Sequence, residues 1–450
     1  MIRPILFLFV SLGFFCGHLS AAEEARRPNV VFIIADDLGW ADVAFHGGKA
    51  PTPNLDRLAR EGVELTQHYV APVCSPTRSG LLTGRYWSRF NVTSPQNERA
   101  LPWDTVTLPR ALKSAGYETC ITGKWHLGSL PEWGPNHFGF DHSYGSLAGG
   151  VGPWDHHYKQ GPYTRTWHRN EKLIEEQGHV TDLIAKEAVG WLGSRGEKPF
   201  FLYVPFTAIH LPIKEPDEYL RRVPAELTGE VPRHYAACIM HLDDAVGRIV
   251  AALEKNGQRD NTLVVFTSDN GGTSAENSDT KYPADNYPAG KLVGNNLPWR
   301  GEKGQVYDGG IHVAAIANWP GKLKPGKVTE PAHIVDWMPT ICQLAGYQAS
   351  GDLKWDGRSN WPLLNGEAST LPTRPLYVVA PAFRARALRV GDWKLIVQGD
   401  GAKRKVELYN LAQDPSEQND LAGEQQPRLQ ELLALMGKIA ERDRDAVAKD

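Results

Sequence analysis

Cysteine is scarce in this chain, with five in 450 residues, and Cys74, Cys120, Cys238 and Cys342 stand far apart without pattern. That spacing excludes a disulfide-built scaffold. A basic excess is missing as well: the formal net charge is -3. Without the positive field that phosphate-backbone binding demands, nucleic acid is excluded as a partner. No apolar run reaches the roughly 20 residues of a membrane-spanning helix, and no repeat or low-complexity tract interrupts the sequence. What remains is an ordinary globular composition, 41% hydrophobic and 22% charged. At this length one large domain plus a smaller one is expected.

The first residues have a different grammar. Arg3, an apolar run from Ile5 to Phe15, and Ser20-Ala21-Ala22 before Glu23 match the basic, hydrophobic and small-residue regions of a secretory signal over residues 1–22. Cys16 leaves with it. The protein is therefore expected to be exported without a membrane anchor: periplasmic or secreted, or lysosomal in a eukaryote. Asn91-Val92-Thr93 matters as a glycosylation site only in a eukaryotic host.

Four segments are apolar runs suited to buried parallel strands, each followed by polar residues and a turn. They are Val30 to Ala35 ending in Asp36-Asp37, Tyr117 to Thr122 ending in Gly123-Lys124-Trp125-His126, Phe200 to Phe206 leading to His210, and Leu263 to Thr267 ending in Asp269-Asn270. Helices are read from Pro53 to Glu61, from Leu108 to Ala115, and before Gly257, where Tyr235, Ile239, Leu242, Val246, Ile249 and Leu253 mark one apolar face. Alternating strands and helices imply an α/β fold with a large, mainly parallel, mixed sheet. Ligands of such sheets bind beyond the carboxyl ends of strands, so the four polar ends are expected to converge. After about Ala345 short strands at Arg386 to Val390, Trp393 to Val397 and Val406 to Leu411, then a helix with Leu429, Leu432, Leu433, Met436 and Ile439, read as a small α+β unit on an antiparallel sheet. The expected division is 23–345 and 346–450. The stretch from Ser274 to Pro298 is too long for a simple connection and is read as a loop near the site.

Asp36, Asp37, Asp269 and Asn270 offer three carboxylates and an amide. Each acidic pair alone reads equally well as an Asx turn; together, carboxylates at that proximity call for a cation. Oxygen-only ligands favour Ca2+ or Mg2+ over Zn2+. Arg78, Lys124, His126, His210 and Lys303 add positive charge at other strand ends. Each alone is a surface charge or a satisfied histidine. The ensemble suits a tetrahedral oxyanion whose charge must be held during displacement.

Cys74-Ser75-Pro76-Thr77-Arg78, followed by Ser79-Gly80-Leu81-Leu82-Thr83-Gly84-Arg85, resembles the signature of the formylglycine-dependent sulfatases. Asp36-Asp37-Leu38-Gly39, Gly123-Lys124-Trp125-His126-Leu127-Gly128, Ile209-His210-Leu211-Pro212, Ser268-Asp269-Asn270-Gly271-Gly272 and Arg300-Gly301-Glu302-Lys303-Gly304 follow in that family's order. The resemblance runs from about Pro28 to Leu421 and implies an alkaline-phosphatase-like fold. It further implies that a formylglycine-generating or anaerobic maturating enzyme oxidises Cys74 to formylglycine. The hydrated aldehyde attacks sulfur through one hydroxyl and expels sulfate through the other. By the same resemblance Asp36, Asp37, Asp269, Asn270 and residue 74 bind the metal, and Arg78 and Lys124 hold the nucleophile. Asp269 deprotonates it, His126 assists its collapse, and His210 and Lys303 hold the sulfate and protonate the leaving alcohol. Cys74 is expected just before a helix starting near Pro76, a residue suited to a first turn.

Gly139-Phe140-Asp141-His142-Ser143-Tyr144-Gly145 and Leu242-Asp243-Asp244-Ala245-Val246-Gly247 resemble the arylsulfatase B group, the N-acetylgalactosamine-4-sulfatases, and imply a sulfated carbohydrate substrate. Trp154, His156, His157, Tyr158 and Trp167 form a ring-rich stretch that reads either as a platform for a sugar or as ordinary loop packing. Two positions depart from the family pattern: His312 stands where Arg is common, and Ala314 where Pro is common. Two rival readings remain open, a formylglycine phosphonate or phosphate ester hydrolase and a non-catalytic binder of sulfated glycans.

Overall fold

Asn29–Ala35 forms a strand buried along its whole length, as a run of Val, Phe and Ile without alternation requires of a strand covered on both faces. The computed structural model describes residues 26–278, 281–284 and 286–449; the expected signal over residues 1–22 lies outside them. Beside Asn29–Ala35 lie Thr262–Ser268 on one side and Phe200–Pro205 on the other, both parallel to it. Glu118–Thr122 and His142–Ser146 continue the parallel block beyond Phe200–Pro205. Shorter strands at both margins pair partly antiparallel and complete a mixed ten-stranded sheet.

Alternate residues of the first strand feed two different cores. Val31, Ile33 and Ala35 pack on the side of the Glu230–Lys255 helix, whose Tyr235, Ile239, Leu242, Val246, Ile249 and Leu253 are all buried as their spacing predicts. Val30, Phe32 and Ile34 face a core that runs on without a break to Leu376, Leu388, Leu395, Leu408 and Leu432 of the C-terminal region. Among the described residues no helix is long and apolar enough to cross a membrane. Cys74, Cys120, Cys238 and Cys342 are free and buried.

The C-terminal sheet is antiparallel, in the order Pro375–Val379, Ala385–Val390, Trp393–Gln398, Lys405–Asn410, and the helix Gln426–Ala440 packs on it. Its first strand is absent from the sequence reading, where flanking prolines disguise it. Pro375 opens the strand and Pro381 follows it, positions a strand tolerates because no ladder hydrogen bond is lost there. Buried charge fastens this sheet to the short helix Asp308–Ile311. Lys394 Nζ lies 2.5 Å from Asp308 Oδ1 and 2.7 Å from Glu417 Oε1, and the Asp308 amide donates to Glu417 Oε2 at 2.8 Å. Burial would raise the Asp308 carboxyl, but Lys394, His312 and Arg389 hold it far below the usual range. His312, the departure from the family pattern, is therefore an interior partner of Asp308 at 3.2 Å, with its ring stacked on Trp299.

Candidate active site

The four polar strand ends do converge, because their strands are consecutive in the sheet: Thr262–Ser268, Asn29–Ala35, Phe200–Pro205, Glu118–Thr122. Backbone bonds stitch the chain beyond them together. The Asp36 amide donates to Ala208 O at 2.8 Å, Ile209 N to Asp36 O at 2.7 Å, and Lys124 N to Pro205 O at 2.7 Å. His210 is thereby carried beside Asp37. Asp37 and His126 both adopt positive φ, 65° and 58°, a conformation rare outside glycine that turns their side chains back over the strand ends.

Cys74 opens the helix Cys74–Thr83, two residues earlier than the proline suggested, so it is the first helical residue and not the residue before the helix. Pro76 still falls in the first turn, where a missing N–H costs nothing. The N-cap, Val73, supplies no side-chain bond, which leaves N-terminal amides open to an anion. The next residues fix the helix to the strand ends. Ser75 Oγ donates to His126 O at 2.8 Å, Thr77 Oγ1 to Asp269 O at 2.6 Å, and Arg78 Nη1 to Lys124 O at 2.7 Å.

Carboxylates and cations alternate around Cys74. Lys124 Nζ donates to Asp36 Oδ2, Arg78 Nη2 lies 2.8 Å from Asp269 Oδ2, and Lys303 Nζ lies 2.7 Å from Asp37 Oδ2. Asn270 Nδ2 donates to Asp37 Oδ1 at 2.8 Å, and His210 Nε2 is 3.9 Å from Asp37 Oδ2. Asp36, Arg78, Lys124 and Asp269 have no exposed surface. Burial alone would raise Asp36, but Lys124, then His210, Arg78 and Lys303, hold it far below the usual carboxylate range. Asp269 goes the other way, to about 7, because burial and the Asp36 charge outweigh Arg78 and Lys124. Burial also pushes the Cys74 thiol up, keeping it protonated and weakly nucleophilic as a plain cysteine. His210 is lowered to about 4 by burial and Lys303, and His126 falls well below its usual value through burial and Lys124. Both rings are therefore neutral near pH 7.

The residues fit a hard cation. Ligand atoms of Asp36, Cys74 and Asp269 lie within 4.8 Å of one another. Asp36 Oδ1 and Asn270 Oδ1, both buried, have no hydrogen-bond partner. Orphaned buried oxygens are costly unless something positive meets them, and the oxygens of Asp36, Asp37, Asp269 and Asn270 are of the kind Ca2+ or Mg2+ takes.

A cleft of about 550 Å3 opens over this cluster, lined by Cys74, His126, His210 and Lys303 and by Pro95, Tyr158, Lys159, Leu211, Ala275, Glu276 and Ser278. Ala275, Glu276 and Ser278 come from the long loop, as its length suggested. Gly150 is what lets His210 stand in the wall: a Cβ there would meet His210 Nδ1 at 2.2 Å. Of the ring-rich stretch only Tyr158 reaches the cleft. Trp154 Nε1 is engaged with Lys214 O, His156 stacks on buried Trp167, and His157 lines a separate hollow with Arg165 and Glu175. Lys159, Glu276 and Ser278 were not singled out from sequence, since a single polar residue in a loop carries no pattern.

The family model for sulfatases matches residues 28–347. The chain belongs to the sulfatase family and is a sulfuric ester hydrolase. It is 30% identical to mouse (Mus musculus) arylsulfatase J, over 94% of this chain and 79% of that protein. It is 34% identical to the N-acetylgalactosamine-6-sulfatase of Rattus norvegicus, over 77% of this chain and 67% of that protein. Among solved structures, Ps i-CgsB in complex with k-i-k-neocarrahexaose superimposes with a TM-score of 0.82 at 30% identity, covering 94% of this chain and 95% of that one. The PsFucS1 sulfatase from Pseudoalteromonas sp. matches with a TM-score of 0.77 at 25% identity, covering 94% and 93%.

Proposed function

We propose that the protein removes sulfate from a sulfated carbohydrate, using residue 74 as nucleophile after conversion of Cys74 to formylglycine by a maturating enzyme. One Ca2+ or Mg2+ would be held by Asp36, Asp37, Asp269, Asn270 and residue 74. The observation that carries this reading is the position of Cys74: first residue of an uncapped helix, in the wall of the cleft, inside a ring of three carboxylates and three fixed cations. A neutral buried thiol is a poor fit to that setting. The hydrated aldehyde supplies two hydroxyls on one carbon, one to form the new S–O bond and one to re-form the aldehyde as sulfate departs.

Lys124 and Arg78, fully buried and fixed by Asp36 and Asp269, hold residue 74 in line and favour its ionised form. Asp269, beside residue 74 and paired with Arg78, is placed to take the nucleophile's proton. His126, whose two ring nitrogens are unpartnered, takes the proton of the second hydroxyl when the intermediate collapses. His210 and Lys303 face the cleft together. A sulfate ester brings negative charge against His210, which favours its imidazolium form and lets the ring protonate the leaving alcohol as the S–O bond breaks. Relatives named N-acetylgalactosamine-6-sulfatase and a similar structure in complex with k-i-k-neocarrahexaose support a sugar as the alcohol. The signal read over residues 1–22 supports export to the periplasm, the medium or a lysosome, where such polymers are met.

The test is release of inorganic sulfate from a panel of sulfated saccharides, comparing the protein made with its converting enzyme against Cys74→Ala. Release by the parent alone, with formylglycine found at residue 74 by peptide mass, is expected. Silence across the panel with residue 74 converted would move the reading to phosphonate esters.

A further inference from the structure

A second cluster of ligand-type side chains lies outside the cleft. His179 caps the helix Val180–Gly193, Asp182 stands in its first turn, His241 is mid-way along Glu230–Lys255, and Glu215 lies on the segment that follows His210. His179, Glu215 and His241 are at most 5% exposed. Ligand atoms of His179, Asp182 and His241 lie within 4.8 Å of one another. Both Nε2 atoms are buried; that of His179 has no hydrogen-bond partner, and that of His241 faces Asp182 Oδ1.

His241 and Asp182 are spaced as two ligands of one metal would be, with Glu215 beside them. His241 Nε2 is 3.1 Å from Asp182 Oδ1, and His179 Nε2 is 3.5 Å from Glu215 Oε1. Two ligands each about 2.0–2.1 Å from a tetrahedral zinc are separated by about 3.3 Å. Glu215 Oε2 accepts from His241 Nδ1 at 2.7 Å, fixing the tautomer that turns the Nε2 lone pair inward, the carboxylate–histidine arrangement that orients metal ligands. Tyr219 stacks on the His241 ring at 4.0 Å and Trp154 stands edge-on to His179 at 5.1 Å, so both rings are held in place.

We infer that His179, Asp182 and His241, with Glu215 orienting His241 from outside, form a metal site of their own, of the borderline nitrogen-and-carboxylate kind that takes Zn2+ and not Ca2+. Binding exchanges the His241 Nε2 proton for the ion. It also gives up the 3.3 Å bond from Thr181 N to His179 Nδ1 and the share of Asp182 Oδ1 held by Arg248 at 2.7 Å. Such an ion would tie two helices to the segment carrying His210 without touching substrate.

The experiment titrates Co2+ into the full chain kept in excess Ca2+, which fills the oxygen-ligated site, and follows the visible bands of four-coordinate Co2+. One equivalent is expected, retained in Asp37→Asn and weakened at least tenfold in Asp182→Asn and in His179→Gln, the order of loss typical when a metal's support is removed. Asp182 is partly exposed, so its variant keeps the question open to measurement should the histidine variant not fold. No four-coordinate band, bands that survive both variants, or bands lost with Asp37→Asn would each overturn the assignment.

Discussion

Lys124→Met separates the charge of the site from its packing. Lys124 is wholly buried, its Nζ bonded to Asp36 Oδ2, and the same oxygen is 3.6 Å from Arg78. Methionine fills the stem's volume and leaves Asp36 with that one longer contact and an Oδ1 that had no partner to begin with. Removing one member of a buried ion pair costs about 3–5 kcal/mol. A chain of this size unfolds with an entropy on the order of 0.9 kcal/mol/K, so the loss is a fall of about 3–6 °C in Tm. In the parent the Lys124 charge leads the cations that hold the Asp36 carboxyl far below its usual range, so the deficit should shrink as pH falls and the exposed need for a cation is met by a proton. Ca2+ should narrow it as well, because an ion beside Asp36 replaces the lost cation in the variant and competes with Lys124 in the parent, so the variant gains more from binding. The assay is thermal unfolding followed by circular dichroism, in chelator and in Ca2+, at pH 5 and 8, alongside sulfate release, which should fall about 100-fold or more. A variant that melts with the parent in chelator, or a gap that Ca2+ widens, would refute the charge balance drawn here.

Gly150→Ala should displace His210 and lower sulfate release, while Asp269 and Lys124 keep their partners and the melting temperature shifts little; kcat and Tm measured together check this. Tyr158→Ala should raise KM for a sugar sulfate more than for a small aryl sulfate, whereas Trp154→Ala should move neither, because Tyr158 lines the cleft and Trp154 does not. In metal-stripped protein the His241 imidazolium, raised from 6.5 to about 9, contributes stability that is complete below pH 6.5 and lost as pH rises through 9. Urea titrations across that window should show the decline in the parent and a flat profile in His241→Asn. Leu242→Ala, in the fully buried stripe of the long helix, should cost about 2–5 kcal/mol in the same titrations without changing KM.

The central strands and the cluster around Cys74 were legible because two independent signals coincide in them: an apolar run too continuous for a surface strand, and a polar end too rich in charge for a simple turn. Consecutive position of those strands in the sheet then did the rest. The margins were not legible. Val63–Leu65 and Trp167–Arg169 are three residues long, too short for any period to register. The rings at Trp154, His156, His157 and Trp167 left two readings open for a related reason: density of aromatic residues says that something is packed, while direction comes only from the backbone turn that carries each one. The second histidine cluster draws on three separate stretches of chain, and no local pattern joins His179 to Glu215 or His241.

The tie between Lys394, Asp308 and Glu417 bears on how the protein can be cut or grafted. Asp308 opens the short helix Asp308–Ile311, and Gly310 O accepts the amide of Gly271, the residue next to Asn270. So close is this contact that a Cβ on Gly271 would fall 1.8 Å from Gly309 O. The small sheet thus stands behind the very loop that presents Asp269 and Asn270, as a retaining wall stands behind a terrace. A truncation at 345, however natural it looks on a sequence map, would strip that wall away, so a minimal catalytic fragment of this enzyme has to keep the chain through Glu417.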